Sequence, residues 1–336
     1  MLPMATSRAQ INALLNQLEK PVRLAFDRAV KNARTRAQIN ALIQAIETGD
    51  LEAVMVAAGI RDGMWSGLSE SIRNAYVTNG ALVLANDLPK RFAMEFDIRN
   101  PRAESWLRNF SSQLITGNLV PEQRAAIQII LNNGMVKGAN PRSTALDIVG
   151  RIGTGGRRTG GVIGLTEQQA GWVVNMNDDL EDLNERYFDR KLRDKRFDKT
   201  VRGSMESGTP LPKATRDRIV ERYETRMLKY RGDTIARTEV LGAVNEASDE
   251  ALRQIVDSGL APNSAVKRIW RHSFSVNERP GHVAMNGQIR SVDEYFLNPI
   301  TGVPLLRPGS GPASEVINCR CYLEHKIDFV AVELAA

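Results

Sequence analysis

Up to about residue 260 the apolar side chains of this chain recur with helical spacing, and after Ala261-Pro262 they stop doing so. Beyond that point the chain turns to short extended runs separated by Asn-Gly, Asn-Pro and Pro-Gly turns. That change of period predicts a mainly α chain: multi-helix N-terminal and central regions followed by a small α+β C-terminal domain. With 336 residues, 42% hydrophobic and 25% charged, the chain can bury two or three cores, which excludes global disorder and fibrous architectures. It divides into four segments: a duplicated amphipathic helical arm over 1–50, a helical region over 51–164 ending in a Gly/Arg-rich loop, a long-helix region over 165–260, and the α+β domain over 261–336.

The arm is marked by an unchanged duplication, Arg8-Ala-Gln-Ile-Asn-Ala-Leu14 returning as Arg36-Ala-Gln-Ile-Asn-Ala-Leu42. The sets Ile11, Leu14, Leu15, Leu18 and Ile39, Leu42, Ile43, Ile46 each form an i, i+3, i+4, i+7 stripe. Pro21 between them predicts two helices in a hairpin or a kinked arm, with the proline near the start of the second. Seven basic residues stand against three acidic ones from Arg8 to Glu47, which suits either a solvated face or a face that meets phosphate or a partner.

Gly80, Pro89, Pro101, Pro121 and Pro141 punctuate the next helices. The pair beginning at Pro121 and Pro141 has a superficial helix-turn-helix layout, but its connection is long and it is poor in base-reading side chains. From Gly150 to Gly164, seven glycines and three arginines occupy fifteen residues. Neither a third fingerprint glycine nor a Gly-Lys-Ser/Thr closes a phosphate cradle, so the expectation is a flexible basic loop, with Arg151, Arg157 and Arg158 as candidate DNA-phosphate contacts. Further on, the acids Asp178, Asp179, Glu181 and Asp182 are expected near a helix start, with the basic residues Arg190 to Arg202 toward its end, the order that suits a helix dipole. A break over 203–212 precedes a helix with Ile219, Tyr223, Met227 and Tyr230, and Asp233 is expected to open a final helix that stops near Gly259.

In the C-terminal domain the candidate strands are Val266 to Arg271, Gln288 to Val292 and Val316 to Phe329, with a short helix near Pro280 to Met285. On the last strand Ile317, Cys319, Cys321, Leu323 and His325 would share one face, opposite Asn318, Arg320, Tyr322, Glu324 and Lys326. The chain has two cysteines and three histidines, and all five lie in this domain. Two readings stand: small hydrophobes packed under a sheet, or a zinc site built from Cys319, Cys321 and His282 or His325, with His272 in reserve. A disulfide between thiols two residues apart on one strand would be strained. No oxyanion-hole signature or acid–base carboxylate pair accompanies the thiols, so enzyme chemistry has little to stand on.

Lys and Arg number 45 against 39 Asp and Glu, giving a net charge of +6 and a sequence pI near 9.4, which permits phosphate or acidic partners without requiring them. The longest apolar stretch, around Ala53 to Ile60, is too short to span a bilayer, and Met1 to Arg8 lacks the pattern of an export signal. Two cysteines make no disulfide framework and fit a reducing cytoplasm.

One ordered series runs through this last part: Ile235-Ala-Arg237-Thr-Glu239, Trp270, Arg279-Pro-Gly-His282, Asn286-Gly287-Gln288, Phe296 and Ile317-Asn-Cys319-Arg320-Cys321. It resembles the Mu F-like head morphogenesis family, the minor head proteins of tailed bacteriophages, over roughly the last hundred residues. Where many members carry an acidic and then a polar residue before the arginine, this chain has Asn277-Glu278. The resemblance implies a virion protein of few copies, inside the capsid at the portal vertex after assembly in the host cytoplasm. Its partners would be the portal protein, the major capsid or scaffolding protein, and packaged double-stranded DNA held through phosphates. It implies no known catalytic activity. It marks Arg237, Glu239, Trp270, Arg279, His282, Gly287, Cys319, Arg320 and Cys321. We assign His282 and the thiols to pinning the fold by metal or packing, and Arg279 or Arg320 to an ion pair inside it or to a partner carboxylate. An internal protein ejected with the genome is the alternative, and a thiol- or metal-dependent hydrolase using His282 and Cys319 is a third.

Overall fold

A computed structural model describes residues 8–61, 63–89, 92–153, 155–274, 278–330 and 332. Asn277 and Met1 to Ser7, on which two sequence readings bear, lie outside the described residues. In chain order the helices of the first half are α1 (Arg8–Arg36), α2 (Ile39–Thr48), α3 (Leu51–Ala57), α4 (Ser66–Asp87), α5 (Pro101–Ser112), a π-helical stretch (Gln113–Leu119), α6 (Val120–Val136) and α7 (Pro141–Val149). A small hairpin, β1 (Arg151–Ile152) and β2 (Arg158–Thr159), leads to α8 (Glu167–Glu181), α9 (Asp198–Ser207) and α10 (Lys213–Asp257). The last part holds β3 (Val266–Arg271), α11 (Pro280–Ala284), β4 (Ile289–Arg290), β5 (Phe296–Leu297), β6 (Pro304–Leu305), α12 (Ala313–Val316) and β7 (Tyr322–Ile327). The architecture is therefore mainly α with a small α+β C-terminal part, as the change of period predicts.

Several boundaries differ from the sequence reading, each for a physical reason. α1 runs through Pro21 because Leu15, Val22, Phe26, Ala29, Val30 and Ala33 form one buried stripe on both sides of it, and that burial offsets the roughly 3 kcal/mol that an internal proline costs. The hairpin of this region instead joins α2 and α3: Gly49 closes α2 at φ +73°, and the Asp50 carboxylate accepts the Ala53 N–H at 3.0 Å to cap α3. The expected break before Asp233 is absent. α10 is one helix of 45 residues, since a lone glycine at 232 costs only about 1 kcal/mol against the buried positions that flank it. The acidic run 178–182 closes α8 rather than opening a helix. α8 starts earlier, at a capping box in which Thr166 and Gln169 exchange hydrogen bonds with each other's backbone, and the run is neutralised by Arg190 on Asp179 and Lys137 on Glu181.

The chain forms two compact units. One comprises 26–67 and 112–232, where Phe26 stacks on Trp65 at 5.5 Å between centroids and Ile127, Ile148, Val162, Ile163, Met176 and Ile219 are buried. The other comprises the described residues of 8–25, 68–111 and 233–332. In this second unit Val83 and Leu84 of α4, Leu252 and Ile255 of α10 and Val266 of β3 share a core. The buried Asn79 donates to Val244 O and Ser248 Oγ, both at 2.8 Å, and so fixes α4 against α10.

The sheet of the second unit has the order β4-β3-β7, antiparallel throughout, with Trp270 opposite Leu323 and Arg268 opposite His325. β3 occupies the expected residues. β7 is shorter than expected, because α12 and a loop with Asn318 at φ +58° take the first part of the expected strand. β5 and β6 form a separate ribbon that the sequence did not announce. Arg268, with no exposed surface, donates to Asp249 Oδ1 of α10 at 2.6 Å and to the carbonyls of Ser291, Glu294 and Leu306 at 2.6–3.1 Å. Asp249→Ala leaves that guanidinium without its anion, and the expected loss of about 3–5 kcal/mol is read by urea denaturation followed by circular dichroism.

Candidate metal centre

The short helix α11 starts as its sequence dictates, with Pro280 in the first turn, where no N–H is needed. Gly281 comes next because a Cβ there would overlap the Asn298 side chain. His282 then projects into the interior at 2% exposure, edge-on to Trp270 with 5.4 Å between ring centroids. Arg279 donates to Ser314 O at 2.7 Å and Ile317 O at 2.6 Å, tying the helix to the turn that precedes the cysteines.

Cys319 and Cys321 lie in the loop ahead of β7, both buried. The left-handed Asn318, whose N–H donates to Thr238 Oγ1 at 3.1 Å, curls this loop, so the two sulfurs do not follow strand alternation. Both face His282 Nδ1, Cys319 Sγ at 3.4 Å and Cys321 Sγ at 3.5 Å, while His282 Nε2 meets Glu315 Oε2 at 2.7 Å. Asn245 of α10 holds the loop by donating to Cys321 O at 3.3 Å and accepting from Leu323 N at 3.0 Å.

One nitrogen lone pair or one N–H cannot satisfy two sulfurs. A metal ion between them can, and zinc–sulfur and zinc–nitrogen bonds of about 2.3 and 2.0 Å in a tetrahedron put S and N roughly 3.6 Å apart. The three donor atoms lie within 4.8 Å of one another, the arrangement a single ion requires. The Trp270 indole N–H, buried without an oxygen or nitrogen acceptor, neighbours the Cys321 sulfur, as does the Ser273 amide. Donors aimed at sulfur favour thiolate.

The electrostatics agree with a shared charge. The Cys321 thiol and the His282 ring hold Cys319 well below the usual thiol range against the effect of burial, whereas its hydrogen bond to Cys319, with burial, pushes Cys321 up. Burial depresses His282, but Cys319 and Glu315 outweigh it and raise the ring. Glu315 is pushed up by burial and brought below the ordinary value by His282 and Thr301. Both cysteines are buried, at 2–3% exposure.

Of the expected ligands, His282, Cys319 and Cys321 come together and His325 does not: it sits on β7 opposite Arg268, outside the cluster. His272 is buried nearby, but its Nδ1 accepts the Phe274 N–H at 3.0 Å, which places its ring proton on Nε2. Arg320 forms an ion pair with Glu19 of α1 at 2.7 Å, and Arg237 of α10 adds its charge to that carboxylate. Glu239, on the same helix, is pushed up to about 7 by burial. Gly287, at φ +88°, donates to Trp270 O at 2.8 Å, and Phe296 packs on Trp270 at 5.4 Å. Glu315, Asn298, Thr301 and Asn245 carry no motif signal and were not anticipated. No family model, curated protein or solved structure matches the chain.

The Gly/Arg segment, in the other unit, is a folded hairpin on α10 rather than a free loop. Thr159 donates to Glu221 at 2.6 Å and the Gly161 N–H to Glu224 at 2.8 Å, and a Cβ at Gly160 would strike both glutamates. Arg151 pairs with Asp147 at 2.8 Å and Arg158 donates to Gly150 O at 3.0 Å, while Arg157 is exposed. Burial pushes Glu224 from 4.5 up to about 7 and Asp147 adds to the rise, against the Gly161 N–H, Arg34 and Arg151. Between those values the folded chain keeps a proton that the unfolded chain has lost, so Glu224 lowers stability as pH rises through that window. Glu224→Gln keeps an acceptor for Gly161 and is expected to raise stability at pH 8 by on the order of 3 kcal/mol while leaving pH 4 unchanged, as measured by urea denaturation.

Proposed function

We propose that this chain is a minor head protein of a tailed bacteriophage, bound at the portal vertex inside the head and acting in head morphogenesis and DNA packaging or delivery. The observation that supports the reading is convergence. Residues of the Mu F-like series, dispersed from Arg237 to Cys321, lie in one unit, and several of those from Trp270 onward gather around one buried cluster with a physical task there. Trp270 walls His282, Arg279 and Gly281 seat it, Gly287 turns the chain beside Trp270, and Arg320 ties the cysteine loop to α1. The burial of the sulfurs favours an architectural role over a thiol-dependent hydrolase.

Cys319, Cys321 and His282 would hold zinc, supplying two thiolates and an imidazole as three of its four tetrahedral donors, with the fourth position left to water. When bound, it supplies a cross-link between α11 and the cysteine loop. Portal protein and major capsid or scaffolding protein are the partners proposed for the helical surfaces. DNA phosphates would fall to exposed cations such as Arg157, Lys20, Arg28 and Lys31, since Arg151 and Arg158 serve the hairpin itself. Such binding weakens steeply with salt and shows little sequence preference.

Mass spectrometry of purified particles, with portal protein as internal standard, should find the chain at a fixed ratio before and after triggered DNA release. Loss with the DNA would establish an ejected protein instead, and absence from particles would refute the reading. For the zinc centre, the purified chain should carry one zinc, and chelation should lower its melting temperature by roughly 5–10 °C. Cys319→Ser should remove both the zinc and the chelator effect.

A further inference from the structure

Glu315 is buried at 4% exposure, and its carboxylate is met by three side chains: His282 Nε2 at 2.7 Å, Thr301 Oγ1 at 2.9 Å and Asn298 Nδ2 at 3.2 Å. A carboxylate so buried is tolerable only with donors on its oxygens. Each donor is itself oriented. Asn298 Oδ1 accepts the Ile300 and Thr301 N–H groups at 3.0 and 3.2 Å, which turns its Nδ2 toward Glu315, and Gly281 leaves the room for that amide. Arg279, on the carbonyls of Ser314 and Ile317, fixes the backbone on either side of Glu315.

This shell bears on which nitrogen of His282 carries the proton. With the proton on Nε2 the ring donates to Glu315, and the Nδ1 lone pair faces the two sulfurs. With the proton on Nδ1, a lone pair would oppose the carboxylate and an N–H would occupy the place of the ion. We infer that Glu315 is the positioning residue of the centre, holding His282 in the Nε2–H tautomer so that Nδ1, Cys319 and Cys321 present three lone pairs to one zinc ion. The inference rests on the zinc reading above.

The full chain is titrated with zinc against a chromophoric chelator and with cobalt(II), whose thiolate-to-metal bands report the sulfur ligands. Glu315→Ala should bind zinc about 10–100-fold more weakly, while Glu315→Gln, whose amide oxygen still accepts the Nε2 proton, keeps most of the affinity. Nitrogen-15 spectra of the zinc-loaded wild type should show His282 protonated on Nε2, a readout that a merely structural role would not move and that stands even if Glu315→Ala fails to fold. Equal affinity in wild type and Glu315→Ala, or a zinc-loaded His282 protonated on Nδ1, overturns the assignment. A wild-type chain that takes up neither ion overturns the zinc reading and the assignment together.

Discussion

A guanidinium with no exposed surface must find its anion and its carbonyls inside the protein, and Arg268 obliges the C-terminal unit to supply them. Asp249 comes from α10, and the carbonyls come from the loops after β4 and β6, the first of which Arg253 of α10 also holds through Asp293 and Val292 O. Phe296 lies under the guanidinium, 5.4 Å from ring centroid to Cζ, and the same ring abuts Trp270. Trp270 in turn walls His282. A chain of contacts thus runs from a buried ion pair on the central strand to the donor atoms of the centre, and Asn245, one turn before Asp249 on α10, secures the cysteine loop at its other end.

The centre is economical in its parts. Two sulfurs and one nitrogen come from a helix of five residues and a loop, elements with little rigidity of their own. Their placement depends on polar contacts: Arg279 reaches two carbonyls nearer the surface, while in the interior Asn298 is committed to two amides and Asn245 to both sides of the loop. Committed hydrogen bonds of this kind specify one arrangement, because a partner lost in the interior has no water to replace it.

How much of this could be read beforehand depended on whether the signal was local. β3, α11 and the stop near Gly259 are written in period, proline and glycine, and the scarcity of cysteine and histidine put both thiols with His282 or His325 without choosing between the two rings. The paths of α1 and α10 were missed because Pro21 and Gly232 are local breakers overruled by burial along the whole helix. His325 was placed with the thiols by strand alternation, and it does share a sheet face with Leu323 and Trp270, but at the register of Arg268 it stands four residues, roughly 13 Å, along the chain from Cys321, too far to share one ion. Glu315 had no sequence signal at all: its helix is four residues long, and its partners lie 14, 17 and 33 positions away.

Those separations have a further consequence. His282 is 33 residues from Glu315 and 37 and 39 from the two sulfurs, so the donors and the carboxylate are joined by loops of similar, moderate length. Glu315, Cys319 and Cys321 lie within seven positions of one another, so one closure of the loop from His282 brings all three near the ring. An ion that captured His282 and one thiolate in a partly folded chain would hold the other thiolate at high effective concentration. The carboxylate and both sulfurs that meet His282 thus arrive on one short stretch of chain, which ties α11 to the start of β7 at a single place.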